Sequence, residues 1–106
     1  MADSDANREN LLREEFHRQT AQIRWHDLQT YYAHGSVISV AAPLDLVGVA
    51  VQLGMDNAGQ FQAWIEAAQV APVSDQQALQ WYEENTLLWA VVAPPWVLVQ
   101  QRDEAT

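Results

Sequence analysis

The side chains of this chain that could move protons, hold a metal or attack an electrophile are few and poorly grouped. Glu14 and His17 sit one helical turn apart, the i,i+3 spacing by which a Glu–His pair ligates a di-iron centre. Such a centre needs a second pair and further glutamates aimed inward. Here the pair stands alone beside Glu15 on a charged stretch and reads as a solvated helix face. His26 and Asp27 are adjacent, so on a helix they diverge by about 100° and cannot orient each other. His34 precedes Gly35 and fits a helix C-terminus, where a partly cationic ring is favourable. No metal site and no cofactor are expected.

Nucleophilic catalysis is no better served. It requires an activated Ser, Thr, Cys or Lys, yet the chain has no cysteine and all five of its Lys/Arg residues are arginine. Ser36, Ser39 and Ser74 have structural readings. Gly48, Gly54 and Gly59 are not spaced as a phosphate-binding or dinucleotide loop, and Glu83-Glu84 reads as solvated charge at a helix end. No catalytic group is nominated. The remaining constellation is aromatic: Tyr31, Tyr32, Trp81, Tyr82, Trp89 and Trp96 form a candidate interaction surface. Against it stands the plainer reading that aromatics at helical spacing are core.

The elements that must position these groups follow from periodicity. Residues 1–7 read as a flexible acidic arm and 102–106 as a flexible tail, leaving 8–101 as a single α+β domain. Leu12, Phe16, Gln19 and Ile23 mark the seam of a first amphipathic helix, broken near Arg24 to His26. A second, shorter helix follows and stops at Gly35. Ser36 to Val40 is β-branched and predicts a strand. Pro43 opens a third helix with Leu46, Val49, Ala50 and Leu53 inward, ending at Gly54. After a turn at Met55 to Asn57, a fourth helix turns Phe61, Trp64, Ile65 and Ala68 to one side. Val70 to Val73 is extended, and Pro72 restricts it to a sheet edge.

Ser74 and Gln77 match a capping box opening a fifth helix, with Ala78, Trp81 and Tyr82 on one side, that ends near Asn85. Leu87 to Val92 and Trp96 to Gln101 predict two strands about Ala93-Pro94-Pro95. Neither alternates apolar with polar before Gln100, which means both faces are covered, by the domain's own helices or by another subunit. The expected fold is α+β: about five helices on a small, mainly antiparallel sheet. Its second half has a helix-turn-helix or winged-helix-like outline.

Charge limits the partners. Fourteen carboxylates oppose five arginines, a formal net charge of −9, and no Lys or Arg occurs between Trp25 and Gln101. A helix-turn-helix reader would lay the fourth helix in a DNA groove, but its outward Gln60, Gln62 and Glu66 offer phosphates no cation. Nucleic acid is therefore an unexpected partner. The longest apolar stretch, Leu87 to Val99, is too short and too Pro-interrupted to span a bilayer, so no membrane partner is expected.

Ile23-x-Trp25-x-x-Leu28, Gly35 with the strand after it, Leu44-Asp45-Leu46 leading to Val49-Ala50, Trp64, Trp81, and Trp89 running to Pro95-Trp96-Val97-Leu98-Val99-Gln100 together resemble a family of small bacterial proteins, domain of unknown function 2288. The resemblance implies a bacterial cytoplasmic protein. It brings no activity, cofactor or catalytic residue. The expectation is a non-catalytic protein-interaction or regulatory module, a homodimer or a binder of another protein. The alternatives are a winged-helix-like nucleic-acid-binding regulator and a small ligand-binding protein or enzyme.

Overall fold

A computed structural model describes residues 2–101. They run α1 (Ala2–Gln19), β1 (Ala21–Arg24), α2 (Trp25–Ala33), β2 (Val37–Val40), α3 (Leu46–Gly54), α4 (Ala58–Glu66), β3 (Val70–Pro72), α5 (Asp75–Glu84), β4 (Leu87–Ala93) and β5 (Trp96–Gln100). One five-stranded sheet has the order β1-β4-β5-β2-β3. Only β2 and β5 pair in parallel; the other three pairings are antiparallel. The chain is thus α+β with five helices and a mixed, mainly antiparallel sheet.

The missing alternation in β4 and β5 has a direct cause. Trp89, Val91, Ala93, Trp96 and Leu98 contribute to a core with Phe16 of α1, Leu46, Val49 and Ala50 of α3, and Phe61 and Trp64 of α4. Leu88, Ala90, Val97 and Val99 contribute to a second core with Trp25 and Leu28 of α2 and Ala78 and Trp81 of α5. The sheet therefore lies between two helical layers, and the covering of its central strands comes from the domain's own helices.

Several local expectations hold for physical reasons. Gly35 takes φ +74° just past α2, a conformation that a Cβ disfavours. The Ser74 hydroxyl accepts from the Gln77 N–H at 3.1 Å, and the Gln77 side-chain oxygen accepts from the Ser74 N–H at 3.3 Å, completing the capping box. Pro72 lies in β3, at a sheet edge where a strand can lack a donor. A Cβ on Gly54 would come within 3.2 Å of Leu12 and 3.4 Å of Phe16, so glycine permits the close approach of α1 to the end of α3.

Other expectations need correction. Residues 2–7, expected as a loose arm, belong to α1; Met1 and the expected tail 102–106 lie outside the described residues. The first helix stops at Gln19, where the Thr20 hydroxyl and N–H both bond to the Phe16 carbonyl. Ile23 then belongs to a strand, whose Ala21-Gln22-Ile23-Arg24 alternation is the period-2 signal that four residues carry weakly. The third helix starts at Leu46 rather than Pro43. Ile65 and Tyr82, expected inward, are exposed. The α3–turn–α4 pair is present, but the β4–β5 hairpin is flanked by β1 and β2 in mid-sheet, not projecting as a wing.

Candidate functional site

The aromatic residues nominated by sequence do not form one surface. Trp81 is only 2% exposed. It meets Trp25 edge-on at 5.2 Å between ring centroids, and its indole N–H donates to the Gln101 side chain at 3.0 Å. Tyr32 packs on Trp25 at 5.4 Å, while its hydroxyl donates to Asp75 at 2.6 Å. That bond to the carboxylate, with smaller contributions from desolvation and the Asp75 charge, raises the Tyr32 pKa above its ordinary value of 10.0. Trp89 and Trp96 are half-buried on the opposite face of the sheet, with α1, α3 and α4. Tyr82 lies outside, its ring 4.9 Å from that of His26. Tyr31 remains, 48% exposed.

Tyr31 takes part in the feature that sequence reasoning missed. It lines a groove of about 190 Å³ with Ala21 and Ile23 of β1, Leu28 of α2, and Ala90 and Val92 of β4. Its lining is mainly apolar, with Gln19 the polar exception, and Val92 is 50% exposed. Beside the groove runs β1, an edge strand that pairs with β4 alone. Edge strands commonly carry proline, lysine or a bulge that discourages further pairing. β3, the other edge, has Pro72; β1 has no proline, and its exposed residues are Ala21, Gln22 and Arg24, with Ile23 half-buried towards the groove. The alternation in Ala21 to Arg24 is the signal that would have exposed it, had the segment not been read as the end of a helix.

Electrostatics separate this edge from the rest of the surface. From Ala2 to Arg24, four arginines face five carboxylates; from Trp25 to Gln101 there are seven carboxylates and no Lys or Arg. Arg13 pairs with Asp45 at 3.3 Å and Arg18 with Glu15 at 2.9 Å. Arg24 donates to the Asn85 carbonyl at 3.3 Å. The segment containing α1 and β1 is thus close to neutral on an otherwise anionic molecule.

The histidines have local partners. His26 bonds through Nε2 to the Tyr82 carbonyl at 2.9 Å and His34 through Nδ1 to the Thr30 carbonyl at 2.8 Å; a carbonyl only accepts, so each of these nitrogens carries the proton. Among the described residues no three His, Cys, Asp or Glu side chains are grouped to hold a metal ion, and Glu14 and His17 are exposed on α1. A wider cleft of about 430 Å³ is lined by Arg13, Asp45, Gln52, Asn57, Gln60 and Trp64. There Asn57 donates to Gln52 at 2.7 Å and Arg13 to Asp45, so these polar groups serve one another. Among the described residues no helix is long and apolar enough to cross a membrane.

The chain is similar to a solved structure, the NMR solution structure of PA1075 from Pseudomonas aeruginosa. The two share 36% sequence identity with a TM-score of 0.78, covering 91% of this chain and 89% of that one. No curated protein matches the chain. The model of the family described as a protein of unknown function, DUF2288, matches residues 11–101, and the chain belongs to that family.

Proposed function

We propose that this protein is a non-catalytic protein-interaction module whose contact surface is the β1 edge with its adjoining groove. The observation that carries the reading is the coincidence of two half-exposed apolar side chains, Tyr31 and Val92, in one groove beside an edge strand. A strand edge supplies backbone hydrogen bonds and a neighbouring apolar groove supplies side-chain pockets, the two ingredients of recognition by strand addition. Its cost in water explains why such an edge is ordinarily blocked when it is not used.

Two features support this reading over a nucleic-acid-binding one. α4, the helix that would enter a groove, lies in the stretch without Lys or Arg. The arginines of α1 and β1 alternate with glutamates, which weakens any attraction for a phosphate backbone. The test is photo-crosslinking in the native cytoplasm from a benzoylphenylalanine placed at Tyr31, with the same group at exposed Leu79 of α5 as control. A discrete crosslinked product from position 31 and not from 79 is expected. Equal, diffuse labelling from both positions would refute the assignment.

A further inference from the structure

Apart from the β1 edge, we infer that α1 is a lid: it lifts from α3 and β4 as one cooperative unit and uncovers apolar surface, while the sheet with α2 to α5 stays folded. The burial pattern motivates this. Among the described side chains of α1 only Phe16 is buried, with Leu12 half-buried beside it. α3, at half the length, buries Leu46, Val47, Val49, Ala50 and Val51. Most helical stability in proteins comes from a packed apolar face, so a helix of 18 residues on two apolar anchors is weakly secured. Losing those anchors costs α1 its order as well as its seat.

The seat is shaped to receive the helix. Gly54 leaves the notch into which Leu12 and Phe16 pack, where a Cβ would come within 3.2 Å of one and 3.4 Å of the other. The polar ties are exposed: Arg8 donates to the Gly54 carbonyl at 3.0 Å and Arg13 to Asp45 at 3.3 Å. Exposed ion pairs contribute little in water, so these contacts orient α1 more than they hold it. Glu15 accepts from Arg18 at 2.9 Å and from Gln19 at 2.7 Å. Those bonds stay inside the element and contribute nothing to docking.

Lifting α1 changes the surface in three places. It uncovers the side of the core that Phe16 shares with Leu53 and Trp89. It takes Arg13 out of the wall of the cleft of about 430 Å³, and Gln19 out of the wall of the groove beside β1. Thr20, the one residue between α1 and β1, is the pivot. Its N–H and hydroxyl both bond to the Phe16 carbonyl, closing the helix without reaching into the sheet. β1 keeps its own pairing with β4, so the edge strand does not leave with the lid.

Amide hydrogen exchange of the full chain, followed by NMR in rising urea below the unfolding transition, tests the lid. The amides of Leu12 to Gln19 are expected to exchange together, at least about a hundredfold faster than those of Val97 to Val99 in β5. Their rates should also depend less on urea, because undocking exposes less surface than global unfolding. Phe16→Ala is expected to cut the protection of α1 at least about a hundredfold and to leave Val97 to Val99 protected. Trypsin gives a second readout, since its sites before Arg102 are Arg8, Arg13, Arg18 and Arg24. Under native conditions it should trim the chain to a product that begins at Glu14 or Gln19 and retains the protected β5 amides. α1 amides that share both the rate and the urea dependence of β5 overturn the inference. So does an F16A chain with no protected amide in β5, or a wild-type chain that trypsin cuts only once it is globally unfolded.

Discussion

Replacing Gln100 with leucine should destabilise the fold by about 2–3 kcal/mol, although the side chain is far from any titratable cluster. Gln100 is 1% exposed. Its amide nitrogen donates to the Ala41 carbonyl at 2.8 Å and the Leu44 carbonyl at 2.6 Å, tying the end of β5 to the loop between β2 and α3. Two lost bonds cost about 0.5–1.5 kcal/mol each, and leaving the acceptors without their donor adds to that. Ala41 and Leu44 are half-buried, so water recovers part of the loss and the sum stays near the lower end. At about 4–8 °C per kcal/mol for a domain of this size, the melting midpoint falls by roughly 10–20 °C. Urea denaturation followed by circular dichroism gives the free energy directly.

Gln100→Glu sharpens the same argument. It keeps the shape but sets a buried carboxylate against two carbonyls, so its folded pKa lies above the unfolded value of about 4.3. With a raised folded pKa, the variant's stability is greatest below the unfolded pKa and declines as pH rises through the folded one. Q100E should therefore regain stability relative to the wild type on acidification, and Q100L should not. If Q100L unfolds within about 0.5 kcal/mol of the wild type, the amide is not holding this loop and the reasoning fails.

Three further outcomes follow from local geometry. Thr86 has a buried hydroxyl without a partner among the described residues, so Thr86→Val should be neutral or stabilising by up to about 1 kcal/mol in urea denaturation. Asn85 is left-handed, at φ 45° and ψ 53°, and its side-chain oxygen accepts from the His26 N–H at 3.2 Å, capping α2 from 59 residues away. Asn85→Ala should cost about 1–2 kcal/mol, and Asn85→Gly less, because glycine restores the backbone conformation but not the cap. Tyr32 keeps its proton to higher pH in the folded state, so its bond to Asp75 contributes fully below the unfolded pKa and is lost as pH rises through the folded one. Tyr32→Phe should remove this part of the alkaline decline in melting temperature.

What was legible in sequence was local and well signalled. The capping box at Ser74 and Gln77, the stop at Gly35, edge placement through Pro72 and the two-sided character of Leu87 to Gln100 each rest on chemistry within a few residues. The failures arise where a distant residue decides. β1 is a strand because it pairs with β4 far along the chain, in the register Ala21 to Ala90 and Ile23 to Leu88; its own four residues cannot outvote a helical seam that includes Leu12 and Phe16. Asn85 caps a helix it does not belong to, and Gln100 anchors a loop from the far side of the chain. The aromatic surface dissolved for the same reason: the sheet register sends Trp89 and Trp96 to one face and leaves Trp81 in the other core. Tyr31 alone joins the edge groove.

The most direct measurement of the central claim is hydrogen exchange of the Arg24 amide, followed by NMR. The Trp25 N–H bonds to the Thr86 carbonyl, and antiparallel partners alternate between bonded and non-bonded pairs, so the Arg24 N–H points away from β4 and should exchange rapidly while Trp25 is protected. Protection of the Arg24 amide equal to that of Trp25 would contradict an open edge at β1.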